Sequence, residues 1–82
     1  MDIVVGSVVR AKAGRDKGDY FVVTDILENG RVLICDGKHR RVETPKSKNI
    51  IHLQATGTVA AEFRTNREIK NYLKSFMEGK HV

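Results

Sequence analysis

The fold is decided by residues Gly6–Gly37, which read GSVVRAKAGRDKGDYFVVTDILENGRVLICDG. Runs rich in Val, Ile, Tyr, Phe and Thr are bounded here by Gly, Asn and Asp, a pattern typical of strands separated by tight turns. The pattern predicts three strands, at Ser7–Lys12, Tyr20–Leu27 and Arg31–Cys35. The charged turn Gly14–Asp19 joins the first two strands, and Glu28-Asn29-Gly30 joins the second to the third. The centre of the chain is therefore predicted to be a small antiparallel meander.

Length and charge limit what such a chain can do. Its 82 residues form one domain with a core near the lower limit for independent folding, so ligands should meet its surface rather than a deep cleft. Fifteen Lys and Arg against ten Asp and Glu give a net charge of +5, and the sequence pI is about 9.7. This balance favours a polyanionic partner, of which nucleic acid is the commonest. The alternative is that the charge serves only solubility.

The residues after the meander predict two further strands. Lys38–Glu43 contains one apolar residue, Val42, and is expected to lie at an edge or on a solvated face. Pro45–Asn49 is expected to be a loop or a single 3₁₀ turn, because proline cannot donate to a strand ladder. Ile50–Ala55 is then the last strand, with Ile51 and Leu53 facing the core.

A C-terminal amphipathic α-helix is predicted after the linking segment Ala55–Phe63. Thr65 followed by Glu68 forms a capping box, and Gly79 is expected at the C′ position. One apolar stripe follows helical spacing and consists of Ile69, Tyr72, Leu73, Phe76 and Met77. We expect this stripe to pack on the strands; a partner surface or a dimer contact is the alternative.

The central stretch resembles the KOW motif, an RNA-binding sequence pattern. The matching residues are Gly6, Val8-Val9, Gly14-Arg15-Asp16-Lys17-Gly18, Val23, Ile26 and Arg31-Val32-Leu33-Ile34. Continued through Asp36-Gly37, Arg40-Arg41-Val42, Pro45 and Asn49 to Leu53, the chain is similar to small proteins of the archaeal and eukaryotic large ribosomal subunit, of the fourteen-e and twenty-seven-e types.

The resemblance implies a mainly β fold, an SH3-like five-stranded antiparallel barrel over residues 1–55, with the linker and helix of residues 56–82 packed on it. The motif also places Val23 and Ile26 inward. Because these residues are three apart, the strand needs a bulge, which we expect near Thr24-Asp25. Val32 and Ile34, which are two apart, should share the inner face of the third strand.

Basic residues concentrate after the meander, in Lys38-His39-Arg40-Arg41 followed by Lys46 and Lys48, while the charged turn adds Arg15 and Lys17. Such side chains neutralise phosphates, and arginine can also stack on a base. Tyr20 and His39 are the candidates for base stacking. The predicted RNA-binding residues are therefore Arg15, Lys17, Tyr20, Lys38, His39, Arg40, Arg41, Lys46 and Lys48. A solvated edge whose charges prevent aggregation is the competing explanation for the cluster.

No enzymatic pattern is apparent in the sequence. The three His, at 39, 52 and 81, are scattered, so we expect no metal site, no cofactor and no small-molecule substrate. A single cysteine suits a reducing cytoplasm, and no apolar run predicts a membrane span. We expect an RNA-binding protein of translation, ribosomal or ribosome-associated, contacting structured ribosomal RNA and monomeric when not bound to it. The alternative is an SH3-like protein-interaction module of the kind found in transcription elongation factors.

Overall fold

The computed structural model describes residues 3–79 and is mainly β, with one C-terminal helix. The elements in chain order are β1 (Ser7–Ala11), β2 (Tyr20–Ile26), β3 (Arg31–Cys35), β4 (Lys46–Asn49), a 3₁₀ turn (Ile50–His52), β5 (Leu53–Val59) and α1 (Asn66–Gly79). Residues 1, 2 and 80–82, the ends of the two predicted segments 1–55 and 56–82, lie outside the described residues. No helix within the described range is long and apolar enough to cross a membrane.

The five strands form one antiparallel sheet in the order β4-β3-β2-β1-β5. Its two outermost strands, β4 and β5, do not pair with each other, so the sheet is open. The predicted bulge is confirmed: the register of β2 against β3 shifts between Val23 and Asp25. A second irregularity lies between Ser7 and Val9 where β1 pairs with β5.

One face of the sheet carries the main apolar core. Val9, Phe21, Val23, Ile34 and Leu53 are buried there together. Val32 and Ala11 complete the cluster. The inward placement predicted for Val23, Val32, Ile34 and Leu53 is confirmed. Because β4 and β5 lie at opposite edges of the sheet and only the turn Ile50–His52 joins them, the sheet is strongly curved around this cluster.

The other face of the sheet is covered by the helix. Val8, Val22 and Cys35 are fully buried against Ile69 and Leu73 of α1. The flanking aromatic residues Tyr72 and Phe76 pack partly against the same cluster. Four of the five stripe residues therefore pack on the strands of their own chain, whereas Met77 is exposed. Burial raises the pKa of the Cys35 thiol, which keeps it in the thiol form at neutral pH.

The helix begins with the predicted capping box. The backbone N–H of Glu68 donates to Oγ1 of Thr65 at 3.1 Å, and the backbone N–H of Thr65 donates to Oε1 of Glu68 at 3.0 Å. The backbone hydrogen bond from Thr65 lowers the pKa of the Glu68 carboxyl. Gly79, expected just beyond the helix, is instead its last residue and has no positive φ.

The strand predicted at Lys38–Glu43 is wrong. One side-chain oxygen of Asp36 accepts the backbone N–H groups of Lys38, His39 and Arg40 at 2.8–2.9 Å. Because these three N–H groups already donate to Asp36 within the loop, they cannot form the backbone hydrogen bonds of a strand. The fourth strand is β4, Lys46–Asn49, in the segment where the sequence predicts a loop or 3₁₀ turn.

The last strand begins later than predicted. The side chain of Asn49 accepts the backbone N–H of Ile51 at 3.0 Å, which caps the 3₁₀ turn over the first residues of the predicted strand. As a result Ile51 is 68% exposed and does not face the core. The inward placement predicted for Ile26 is also wrong: this residue pairs with Val32 at the end of β2, but it is 47% exposed and lies outside the core.

Candidate nucleic-acid interface

The charged turn Gly14–Asp19 is a compact structure held by its own backbone. The N–H of Lys17 donates to the carbonyl of Gly14 at 3.2 Å, and the N–H of Asp19 donates to that of Asp16 at 2.9 Å. Gly18 has a φ of +92°, which an L-residue rarely adopts, and its N–H donates to the carbonyl of Ala11. The turn therefore holds Arg15 and Lys17 outward, and both are exposed.

Asp16, in the middle of this turn, binds two of the predicted RNA-binding cations. Its Oδ2 lies 3.3 Å from Nη2 of Arg40 and 3.3 Å from Nζ of Lys46. The carboxylate side chain is only 17% exposed, whereas about a third of each cation remains exposed, 34% for Arg40 and 32% for Lys46. Asp16 thereby joins the charged turn, the loop after β3 and the edge strand β4 at one point.

The ionisation of Asp16 reflects two opposing effects. Burial raises the pKa of the carboxyl group, but the hydrogen bond from Lys46 and the positive charges of Arg40 and Lys46 outweigh it. The net result is a pKa below the ordinary value for aspartate. Asp16 is therefore ionised at neutral pH, and the ion pairs are intact.

Lys48 is a third predicted cation that contacts the charged turn. Its Nζ donates to the backbone carbonyl of Ala13 at 3.0 Å, across the gap between β4 and the turn. Arg40, Lys46 and Lys48 are all half-buried. These three side chains thus fasten separate segments of the chain together in addition to carrying charge.

The loop after β3 presents the remaining predicted residues. Lys38 and His39 are exposed, and Nδ1 of His39 lies 3.7 Å from Oδ2 of Asp36. Arg41 is exposed and donates from Nε to Glu43 at 3.1 Å, a hydrogen bond that lowers the pKa of the Glu43 carboxyl. Within residues 3–79, Arg15, Lys17 and Lys38 make no ion pair.

The loop is attached to the helix as well as to the turn. The backbone N–H of Val42 donates to Oδ1 of Asn66 at 2.7 Å, and Nδ2 of Asn66 donates to Oε1 of Glu43 at 2.7 Å. Gly37, with a φ of +79°, approaches the carbonyl oxygen of Asn66 so closely that a Cβ there would clash with it. The exposed cations of this loop are consequently held on a fixed backbone.

Tyr20 is half-buried and serves as a junction between the sheet and the helix. Its ring meets that of Phe76 edge to face, with centroids 5.4 Å apart, and the guanidinium of Arg10 lies 5.9 Å from the Tyr20 centroid. Packing therefore accounts for part of the ring surface that was predicted to stack on a base.

Several basic residues near these loops were not predicted as binding residues. Lys70 and Lys74 of the helix line a groove together with Lys38 and His39, and Arg10 lies beside Lys12 and Lys17. Their spacing offered a signal: Lys70 and Lys74 stand four apart on α1, beside the apolar stripe, so they share one flank of the helix. Within residues 3–79 no group of three His, Cys, Asp or Glu could hold a metal ion; His81 lies outside the described range.

Comparison of the sequence with protein-family models and with curated proteins gives no match.

Proposed function

We propose that this chain is an RNA-binding protein of KOW type that acts in translation, as a small ribosomal or ribosome-associated protein of the cytoplasm. Its partner would be structured ribosomal RNA, contacted through a basic rim. The observation that carries the proposal is the arrangement of the exposed cations. Arg15 and Lys17 are exposed on one loop and Lys38 and Arg41 on another, and the ion pair between Arg40 and Asp16 joins the two loops.

Charge held in place before binding is the physical basis of the proposal. Cations on a surface gain affinity for a polyanion mainly through the release of condensed counterions, and no pocket is needed. Side chains anchored on fixed loops lose less conformational freedom on binding than side chains on mobile loops. With phosphate contacts of this kind, shape and backbone recognition of folded RNA is favoured over reading of a base sequence.

The architecture that we propose is an SH3-like barrel. It is supported by the curvature of the sheet, since Leu53 of β5 and Ile34 of β3 enter one core although two strands separate them. It is also supported by the connection between the two edge strands, since only the three-residue 3₁₀ turn Ile50–His52 joins β4 to β5 although they lie at opposite edges of the sheet.

A double variant and a charge-matched control test the RNA-binding proposal. Lys17→Ala with Lys38→Ala removes two exposed rim cations. We expect it to weaken co-sedimentation with ribosomes from a native lysate and to reduce the salt dependence of RNA binding by about 2 in log-log slope. Arg64→Glu is the control, because it lowers the net charge by the same two units at an exposed position before the helix. Equal effects of the double variant and the control, or binding that salt does not change, would contradict the proposal.

A protein-interaction module is the second candidate, and one observation favours it. Ile26, Leu27 and Ile51 are exposed around the turn between β2 and β3. An apolar surface of this kind suits a protein partner better than RNA. The nucleic-acid absorbance of the purified protein, measured before and after a high-salt wash, distinguishes the two candidates: RNA that co-purifies and is released by salt supports the first.

A further inference from the structure

A groove lies between the helix and the two loops of the proposed interface. Its volume is about 390 Å³, in the size range of sites that hold a small organic group. The start of β2 contributes Tyr20, the loop after β3 contributes Lys38 and His39, and the helix contributes Lys70 and Lys74. The two aromatic residues that the sequence suggests for base stacking, Tyr20 and His39, therefore line one and the same groove.

The rim of the groove is cationic. The ammonium groups of Lys38, Lys70 and Lys74 make no ion pair within residues 3–79. Asp19 and Asp36 also line the groove, but one oxygen of Asp36 already accepts three backbone N–H groups of its own loop. The three ammonium groups outnumber the two carboxylates, so the net charge of the lining is positive, which suits a phosphate group.

The floor of the groove is apolar, and this separates it from a simple phosphate contact. Leu73 is buried in the floor, Met77 is an exposed apolar side chain, and the ring of Tyr20 is half-buried beside them. Methionine is flexible and polarisable, so it packs well against flat ring systems. A cationic rim above such a floor offers complementary surfaces to a phosphate and to a base at the same time.

We propose that this groove binds a single unpaired nucleotide of the RNA, with its base on Met77 and Tyr20 and its phosphates at Lys38, Lys70 and Lys74. The inference rests on the proposed RNA-binding function and extends it. It adds one flank of the helix to the interface, and it names the kind of RNA feature that the protein prefers, a bulged or looped-out nucleotide beside a paired stem.

The test compares two fluorescently labelled RNA hairpins that are identical except for one unpaired uridine in the stem. Wild-type protein should bind the bulged hairpin about five- to tenfold more tightly, the low end of what stacking of one base contributes. Met77→Ala removes part of the floor without changing the charge, and Lys70→Ala with Lys74→Ala removes rim cations at exposed helix positions. Both variants should lose the preference while still binding the fully paired hairpin.

Arg64→Glu serves again as the charge-matched control and should keep the preference. Equal binding of both hairpins by the wild type would overturn the groove assignment and leave the RNA-binding proposal standing. A preference that survives both groove variants, or that the control also loses, would likewise overturn it. Failure to bind either hairpin at low salt would refute the proposed function and the groove together.

Discussion

Asp16→Asn is the substitution for which the structure gives the clearest quantitative expectation. It keeps the shape of the side chain but removes the charge that holds Arg40 and Lys46, each 3.3 Å away. A third of each cation is exposed and each pair is a single contact, so solvent screening limits the loss to about 1–1.5 kcal/mol for both pairs together. For a domain of this size the melting temperature should then fall by roughly 4–12 °C.

RNA binding should become more dependent on salt. Once the carboxylate is neutral, Arg40 and Lys46 are available to phosphates, so the salt dependence should steepen by up to about 2 in log-log slope. The loss of the link between the two loops opposes any gain in affinity. Glu28→Gln is the control: it makes the same change in net charge in the turn between β2 and β3, where no ion pair of the described residues is lost. Calorimetry or circular dichroism measures the change in melting temperature, and fluorescence anisotropy at several salt concentrations measures the change in RNA binding.

The pH dependence supplies an independent check on the same group. Because the pKa of Asp16 is lower in the folded protein than its ordinary value, the carboxylate stabilises the fold above the unfolded-state pKa, and this contribution is lost as the pH falls through the folded-state value. The difference in melting temperature between wild type and Asp16→Asn should therefore shrink on acidification below about pH 4. A variant as stable as wild type, or one whose RNA binding has an unchanged salt dependence, would refute this role of Asp16.

Three further substitutions test the fold. Gly37→Ala should destabilise the domain by several kcal/mol, since its Cβ would clash with the carbonyl of Asn66. Gly30→Ala is the control: it is also at positive φ but has space around it, so it should lower the free energy of unfolding by only about 1 kcal/mol. Equal losses of stability in urea denaturation would argue against the Gly37 contact. Val23→Asp should unfold the domain because it places an unpaired charge at a fully buried position, and a native-like NMR spectrum would contradict that placement. Thr65→Ala should lower stability by about 1 kcal/mol through loss of the helix cap; an unchanged melting curve would mean that the cap contributes nothing.

The parts of the fold that the sequence predicted well depend on local patterns. Apolar runs between turn residues indicated β1, β2 and β3, and the spacing of Val23 and Ile26 indicated a bulge that the register confirms. The capping box that starts the helix, Thr65 and Glu68, lies within four consecutive residues. Each of these features follows from neighbouring residues alone.

The segment between Asp36 and Leu53 could not be predicted in the same way, because two polar side chains decide it. Asp36 closes a loop over the residues predicted as a strand, and Asn49 caps the 3₁₀ turn that displaces the start of β5. Strand β4, which reads KSKN, has no apolar alternation and owes its place to backbone pairing with β3. Polar segments of this kind fit a strand and a loop equally well until a specific hydrogen bond selects one.

The candidate site was predictable in composition but not in arrangement. Nothing in the sequence relates Asp16 to Arg40, 24 residues away, or brings Lys70 to the side of Lys38. These relations arise only when the helix covers the sheet and the loops are drawn together. From the sequence alone, substitution of Lys70 and Lys74 would serve as the control for substitution of the loop cations. Because these two lysines line the groove, Arg64 is the better control position.

The two covered faces of the sheet have a consequence for how strand alignment is specified during folding. In most half-exposed sheets a slip of one residue sends apolar side chains into water, which penalises the error. Here Val8 and Val9, like Val22 and Val23, are buried on opposite faces, so a slipped β1 or β2 would still bury hydrophobic groups on both sides. Correct alignment therefore depends on the turns and on the bulge after Val23. Errors introduced there should produce misaligned and aggregating chains, and not merely a less stable native protein.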